Sequence, residues 1–351
     1  MFLALKEIRK EKVRSSLIIA MIVLIGYLIF VLTSLALGLA RENTAAITSW
    51  HTEKVTMNAD ANTDMRQSFL TKAQAGHTGT QEAYVGETAV VVKAKGHKQI
   101  SATFLGLASN QYIAKELSLS SGRRVRQARE VVADDALKLQ GYRLGSQVKL
   151  GDGQRAYTIV GFTPNAKLNI SPVLYGRLQD WRTLRGLTTD TVASVVVSKN
   201  TQYDANTTGS RTYTADQVIQ KLPGYSAQNL TFALMIGFLM VISLIVIAVF
   251  LYILTLQKLP NYAVLRVQGV PSRILVAATI SQSLLLVGGG MIGAVVLLAI
   301  TAVSLPAAVP MALDIPVLIT VGVGLLVMAL LGGLVPVRRV LRVDPVSVIG
   351  G

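Results

Sequence analysis

Four long apolar runs and one long mixed segment make up most of this chain. Residues 17–37 contain no charged side chain, and at a rise of about 1.5 Å per residue they are long enough to cross the hydrocarbon of a bilayer. Three further apolar runs follow at about 231–256, 274–305 and 315–337. We therefore predict an α-helical integral membrane protein with four transmembrane helices.

Residues 41–229 have the mixed apolar and polar character of a water-soluble domain. Alternating runs bounded by turn residues predict strands, at 88–92, 148–150, 157–161 and 192–197. Two other segments, 109–117 and 128–139, are interpreted as helices. We expect a mixed α+β domain between the first and second transmembrane helices.

Basic residues predict the orientation of these segments. Lys and Arg occur in the amino-terminal segment, in 257–273 and in the tail, whereas 306–314 contains neither. Short loops rich in Lys and Arg stay in the cytoplasm, so both termini are predicted inside and the large domain outside the cell. The predicted order is a cytoplasmic amphipathic helix (1–16), transmembrane helix 1 (17–40), the extracytoplasmic domain (41–229), transmembrane helix 2 (230–256), a cytoplasmic loop (257–273), transmembrane helix 3 (274–305), a short outer loop (306–314), transmembrane helix 4 (315–337) and a cytoplasmic tail (338–351).

The net charge is +15, which by itself is compatible with nucleic-acid binding. The basic residues are divided among the membrane-flanking segments and the outer domain, so we expect membrane lipid and no nucleic acid as a partner. The outer domain holds 23 Lys and Arg against 15 Asp and Glu. This excess suits an anionic cell wall and lipid surface, or alternatively reflects a preference for an anionic substrate.

The sequence contains no motif that indicates catalysis. It has no phosphate-binding loop of the G-x-x-x-x-G-K-[ST] type, no G-x-S-x-G sequence, no cysteine and only three scattered histidines. The apolar runs also lack the buried acidic or histidine side chains of proton-coupled carriers. We therefore predict that the chain is not an enzyme, has no catalytic residues or intrinsic metal, and takes energy for transport from another chain.

The loop between the second and third apolar runs is a candidate docking element. Residues 257–270 are interpreted as a short helix closed by Gly269. Four side chains are placed to face a groove on a partner, namely Leu259, Tyr262, Leu265 and Arg266. The alternative is an amphipathic helix that lies on the lipid surface.

Two segments and the order of elements resemble a known family. Residues 257–270 are similar to the coupling helix of ABC-transporter permeases of the MacB/FtsX type, and the tail around Val343-Asp344-Pro345 is similar to the tail of the same family. Ser347 departs from the acidic residue usual there. The resemblance implies a homodimer with two copies of a separate cytoplasmic ABC ATPase, docked at Leu259, Tyr262, Leu265, Arg266 and Gly269.

Three shorter segments, 38–43, 256–258 and the tail, resemble heme-efflux permeases of Gram-positive bacteria. This resemblance implies heme as the substrate. Heme has a flat apolar ring, two anionic propionates and an iron that takes a protein ligand. The candidate heme-binding residues are Glu42 for the iron, Arg41 for a propionate, and Met235 and His51 as further ligands. The alternatives are interfacial anchoring for Arg41 and Glu42 and helix packing for Met235.

Two other functions fit the same architecture. The first is export of a peptide antibiotic or a lipoprotein. The second is transmission of an ATPase stroke across the membrane to activate an extracellular cell-wall hydrolase, as FtsX-type proteins do.

Overall fold

The computed structural model describes residues 11–151, 153, 155–306 and 309–341. It divides into two compact units. The first contains Met1–Gly38 and Asn229–Gly351, and the second contains Leu39–Gln228. Most of the predicted amphipathic helix at 1–16 and of the tail at 338–351 lies outside the described residues.

Four helices in the described residues are long and apolar enough to cross a membrane, which confirms the predicted fold class. They are α1 (Lys12–Ser49), α7 (Tyr225–Val267), α8 (Ser272–Ser304) and α9 (Ile315–Leu341). Helix α1 extends beyond the predicted transmembrane run 17–40 at both ends, and α7 extends beyond the run 230–256 at both ends. The loop 257–273 therefore contains no separate short helix, since residues 257–267 are the last part of α7.

Small residues bring the helices of the first unit close together. A Cβ atom on Gly290 would lie 2.4 Å from Cγ2 of Ile22, and one on Gly293 would lie 2.6 Å from Cγ2 of Val23. Such side chains would force α8 away from α1. Close backbone approach of this kind favours helix association where lipid removes the hydrophobic driving force.

The second unit is built on an 11-stranded mixed sheet and a two-stranded ribbon. Its strands are β1 (Lys54–Asn58), β2 (Leu70–Thr71), β3 (Glu82–Lys93), β4 (Ile100–Leu107), β5 (Ser121–Gly122), β6 (Glu130–Asp134), β7 (Gln147–Leu150), β8 (Ala156–Thr163), β9 (Lys167–Leu168), β10 (Ser171–Arg177), β11 (Thr191–Ala193), β12 (Val195–Ser198) and β13 (Ser210–Thr214). The short helices are α2 (Lys72–Ala75), α3 (Tyr112–Glu116), α4 (Ala136–Leu139), α5 (Leu178–Arg185) and α6 (Ala215–Gln220). The predicted mixed α+β domain is confirmed.

The main path of the large sheet runs β13-β1-β12-β3-β4-β10-β6-β8-β5. Strand β7 pairs with β3 and β8, and β9 pairs with β10. Most pairs are antiparallel, but β4 with β10 and β6 with β8 are parallel. Parallel neighbours need a crossover connection. Here the connection from β4 to β10 begins with α3, and the connection from β6 to β8 contains α4 and β7.

One of the predicted helices is wrong. Residues 128–139 contain strand β6 followed by the single turn of α4. All five residues of β6 are buried, and the strand lies between β10 and β8. Burial on both faces gives a short apolar run without alternation, which sequence periodicity does not distinguish from a buried helix. The helix predicted at 109–117 is present but shorter, as α3.

The end of α1 belongs to the core of the second unit. Ala46, Ile47 and Trp50 are buried in its larger apolar cluster. The indole Nε1 of Trp50 donates a hydrogen bond of 3.2 Å to the hydroxyl of Tyr175 on β10. The end of the helix is therefore held by apolar packing and by this buried hydrogen bond.

A buried carboxyl group lies on β3 of the same unit. Glu87 is 2% exposed, and burial raises its pKa to about 8, a shift that nearby Arg66 opposes and Asp64 favours. Arg66 already binds Asp64 through two hydrogen bonds of 3.1 and 3.0 Å. Because that guanidinium is neutralised by its own partner, burial dominates, and the raised pKa favours the protonated form of Glu87 at neutral pH.

We expect the second unit, which contains the predicted extracytoplasmic domain and is called the outer unit, to lose stability as the pH rises from about 5 to 8. A carboxyl whose pKa is raised on folding keeps its proton in the folded state where the unfolded chain has released it, so folding is favoured at the lower pH. Replacing Glu87→Gln removes this titration, and the pH-dependent part of the unfolding free energy falls by an amount on the order of 3 kcal/mol. Urea unfolding of the full chain in nonionic detergent, followed by tryptophan fluorescence, measures it. Trp181 reports on the region because its Nε1 donates to the Glu87 carbonyl at 3.0 Å.

The matched control is Glu53→Gln, since Glu53 is an exposed carboxylate on the same unit. An unchanged pH dependence in Glu87→Gln would show that Glu87 is ionised in the folded protein.

Candidate functional site

The structure places Glu42 in an ion pair. Its carboxylate accepts a hydrogen bond from the Nζ of Lys167 on β9. Both side chains are mostly buried, with 24% of Lys167 and 19% of Glu42 exposed. Glu42 is therefore engaged with a cation of its own domain, and as an iron ligand it would have to leave this pair.

The turn between β9 and β10 holds the same part of α1. The backbone N–H of Asn169 donates to the carbonyl of Asn43 at 3.1 Å, and that of Ile170 donates to the carbonyl of Glu42 at 3.2 Å. Asn169 and Ile170 have φ angles of 49° and 65°. Two consecutive residues with positive φ are typical of the tightest hairpin turn, and this turn aims both N–H groups at the helix.

The four predicted heme-binding residues belong to two different units. Arg41 is exposed on α1, and His51 is exposed immediately after the end of that helix, with a φ of 53°. Met235 lies in the other unit, on α7, and is 43% exposed. No group of three His, Asp or Glu side chains able to hold a metal ion occurs in the part of the chain that is described. Lys167 was missed, because 125 residues separate it from Glu42.

The turn between α7 and α8 forms the second candidate region, which we call the hairpin (residues 258–282). Tyr262 and Leu275 are buried against each other at its centre, with Leu265, Val270 and Val276 packed around them. The chain reverses at Gly269, whose φ is 88°, a value that suits glycine. The hairpin therefore has a small apolar core of its own.

Polar side chains lie at one end of the hairpin. Lys258 is 5% exposed, and its Nζ donates to Oε1 of Gln282 at 2.8 Å. The hydroxyl groups of Thr279 and Ser283 donate to carbonyls one turn earlier on α8, each at 3.0 Å. The buried cation thus has a polar partner from the neighbouring helix.

The predicted coupling residues are distributed differently from the expectation. Tyr262 faces the inside of the hairpin, where it packs against Leu275. Leu259, Leu265 and Arg266 are partly buried, and Gly269 is exposed at the tip. The large apolar residues of the hairpin that are more than half exposed are Val264, Val267 and Ile274. The sequence did not single these out, because helical periodicity alone does not tell which apolar side chains pack within the hairpin.

Comparison with known proteins agrees with the resemblance. Residues 233–345 match the family model of the FtsX-like permease C-terminal region. A protein of Staphylococcus epidermidis provisionally named hemin transport system permease protein HrtB is 24% identical over 359 residues, covering 100% of this chain and 99% of that protein. A protein of the same name from Staphylococcus haemolyticus is 25% identical over 354 residues, again covering 100% of this chain and 99% of the relative.

Among solved structures, the periplasmic region of MacB from Actinobacillus actinomycetemcomitans covers 50% of this chain and 94% of its own, with 15% identity and a TM-score of 0.36. The extracellular domain of the ABC-type transporter YknZ from Gram-positive bacteria covers 48% of this chain and 86% of its own, with 19% identity and a TM-score of 0.31. Residues 233–345 are therefore similar to the FtsX-like permease C-terminal region, within a chain that is similar over its whole length to permeases provisionally named for hemin transport.

Proposed function

We propose that this chain is the membrane subunit of an ATP-driven exporter, coupled through its hairpin to a separate cytoplasmic ATPase. The observation that carries the proposal is the exposed apolar surface of Val264, Val267 and Ile274 on a turn that is packed from within by Tyr262 and Leu275. An element that transmits a stroke needs a rigid core and an outer surface that a partner can cover. The hairpin has both.

The hairpin extends beyond the apolar part of α7. The apolar run of α7 ends at Leu256, and from there to Val267 the helix rises about 16 Å. Lys258 and Gln282 lie at the start of this extension, where a bilayer changes from hydrocarbon to head groups. Because Val267 lies beyond that level, its exposed side chain faces the aqueous side and not the lipid chains.

The orientation rests on charge. The hairpin contains Lys258, Arg266 and Arg273, and short basic loops remain in the cytoplasm. The second unit then lies outside the cell, as part of a chain with both termini inside. Two copies of this chain and two ATPase subunits complete the proposed assembly.

The cargo is proposed to be heme. The support is the full-length similarity to the staphylococcal proteins whose name specifies hemin transport. An excess of basic residues in the outer unit suits the two propionates of heme. Export of a peptide or lipoprotein, and activation of a cell-wall hydrolase, are separated from heme export by the tests below.

Single-cysteine labelling tests the orientation. The chain contains no cysteine, so Gln268→Cys introduces one thiol at the exposed tip of the hairpin and Gln202→Cys introduces one on the outer unit. A membrane-impermeant maleimide on intact cells should label Gln202→Cys and leave Gln268→Cys unmodified, and inverted vesicles should give the reverse. Modification of Gln268→Cys from outside intact cells would overturn the docking role.

Substitution at the hairpin tests the coupling and the cargo together. In a deletion strain, this chain with its ATPase should restore resistance to hemin, whereas Val267→Asp should not, because an unpaired carboxylate buried in a docking surface costs several kcal/mol. We expect ATPase binding to weaken by at least about tenfold, with normal amounts of the variant in the membrane. Gln268→Asp is the control, since it adds the same charge at a neighbouring polar position.

Full rescue by Val267→Asp would exclude the hairpin as the docking surface. Absence of any hemin phenotype, with altered sensitivity to peptides or altered cell shape, would favour one of the two other functions.

Paired substitutions test the role of Glu42. Because Glu42 and Lys167 form a mostly buried ion pair, Glu42→Gln and Lys167→Met should each lower the unfolding free energy of the outer unit by about 1 kcal/mol, and the double variant by little more than either. The hemin-induced Soret band should be unchanged in both single variants. A band lost in Glu42→Gln and retained in Lys167→Met would show that Glu42 leaves the pair to bind iron.

A further inference from the structure

A small cavity opens in the outer unit where two parallel strands end. Strands β4 and β10 pair in parallel, with Tyr175 opposite Leu105 and Arg177 opposite Leu107. The cavity, of about 200 Å³, lies at the carboxyl ends of both strands and is bordered by residues of α3. In sheets with parallel strands, ligands commonly bind in the crevice at this end.

The floor of the cavity is apolar and rigid. Leu107 and Tyr175 are 5% and 1% exposed, and both belong to the larger core cluster of the unit, against which Leu117 and Val125 are packed. The Tyr175 hydroxyl accepts the hydrogen bond from Trp50. Burial raises the pKa of Tyr175, so its hydroxyl stays neutral and adds no negative charge to the floor.

The lining of the cavity includes three cations and no carboxylate among the described residues. Lys115, Arg124 and Arg177 are exposed, and in the described part of the chain none of them forms an ion pair with an acidic side chain. Arg124 is oriented by its Nε, which donates to the carbonyl of Leu117 at 3.2 Å.

Nearby cations of the unit are paired. Arg123 binds Glu130, and Lys199 binds Glu116. Glu130 also accepts backbone N–H groups of Arg126 and Gln127 at 2.8 and 3.0 Å, and the bond from Arg123 is the main cause that lowers its pKa to about 2. Glu130 and Glu116 are thus already committed to other partners. Asp180 interacts electrostatically with Arg177, whereas no carboxylate among the described residues forms an ion pair with Lys115 or Arg124.

We propose that this cavity binds an anionic group that carries a short apolar substituent. The three cations receive the carboxylate or phosphate, and the floor formed by Leu107 and Tyr175 receives the apolar part. At about 200 Å³ the cavity is smaller than the pockets of about 300 Å³ or more that enclose drug-sized ligands. It therefore takes a small amphiphilic anion or the end of a longer one, and not a whole porphyrin. The site does not depend on heme as the cargo or on the ATPase.

Binding can be measured on the full chain in nonionic detergent. Hexanoate is the probe, with hexanol and hexylammonium as neutral and cationic counterparts of the same length. Hexyl phosphate tests a phosphate source of the anion, and inorganic phosphate tests whether the apolar part is needed. Tryptophan fluorescence is a direct readout, because Trp50 is hydrogen-bonded to the Tyr175 hydroxyl and Trp181 lies in a different core cluster.

Hexanoate or hexyl phosphate should quench the fluorescence saturably, and raised salt should weaken the effect because the contacts are ionic. The double variant Lys115→Gln, Arg124→Gln should bind hexanoate about tenfold more weakly. The variant Arg124→Lys keeps the charge and should bind hexanoate nearly as well as the original chain does. The control pair is Lys221→Gln with Arg211→Gln, which removes the same charge from exposed positions elsewhere on the unit.

Three results would each overturn the proposal. The first is the absence of saturable binding of either anion, and the second is equal binding of hexylammonium. The third is an unchanged hexanoate affinity in the double variant Lys115→Gln, Arg124→Gln, provided that this variant has normal thermal unfolding. Binding of inorganic phosphate as strong as that of hexyl phosphate would overturn the apolar part of the site. Failure of this chain with its ATPase to restore hemin resistance, while hexanoate binding is intact, would count against the exporter function alone.

Discussion

The hydrocarbon layer of a membrane excludes unpaired charge, and the first unit of this protein is organised by that constraint. Hydroxyl groups within its helices bond to carbonyls one turn earlier, as Thr33 and Thr255 do at 2.8 Å. The helices approach through glycine at Gly290 and Gly293, because lipid gives packed side chains no hydrophobic advantage over exposed ones. The buried cation Lys258 lies where the uncharged run has ended, beside Gln282. Its position separates the part of α7 that suits lipid from the part that can bind a protein.

Beyond that level, the hairpin obeys the rules of a water-soluble structure. Tyr262 and Leu275 form a small core, and Gly269 permits the reversal of the chain. Exposed apolar residues have a different meaning in the two regions. On a span they face lipid, whereas on the hairpin they need another protein to cover them. This distinction is the physical basis for the proposal that Val264, Val267 and Ile274 form a docking surface.

In the outer unit, the end of α1 and the small cavity share a residue. The Tyr175 hydroxyl holds Trp50 at the end of the helix, and the same side chain lines the cavity at the ends of β4 and β10. The helix is also held by Lys167 and by the turn at Asn169 and Ile170. Strand β10 thus connects two of these contacts, because it carries Tyr175 and begins directly after the turn. An occupant of the cavity would touch the strand that fixes the helix.

The sequence by itself determined the four spans, the mixed outer domain and the family resemblance. A bilayer acts on each residue according to its own polarity, so a run such as 17–37 carries its meaning without reference to the rest of the chain. Alternation likewise located the strands at 88–92 and 157–161, because one face of each strand is less buried than the other.

Only the tertiary structure decided the remaining assignments. Residues 130–134 form a strand because β8 and β10 pair with its two edges. Glu42 has a partner because Lys167, far away in sequence, folds next to it. Tyr262 faces inward because α8 packs against it. Each of these outcomes depends on which distant segment becomes a neighbour, and local periodicity contains no information about that choice.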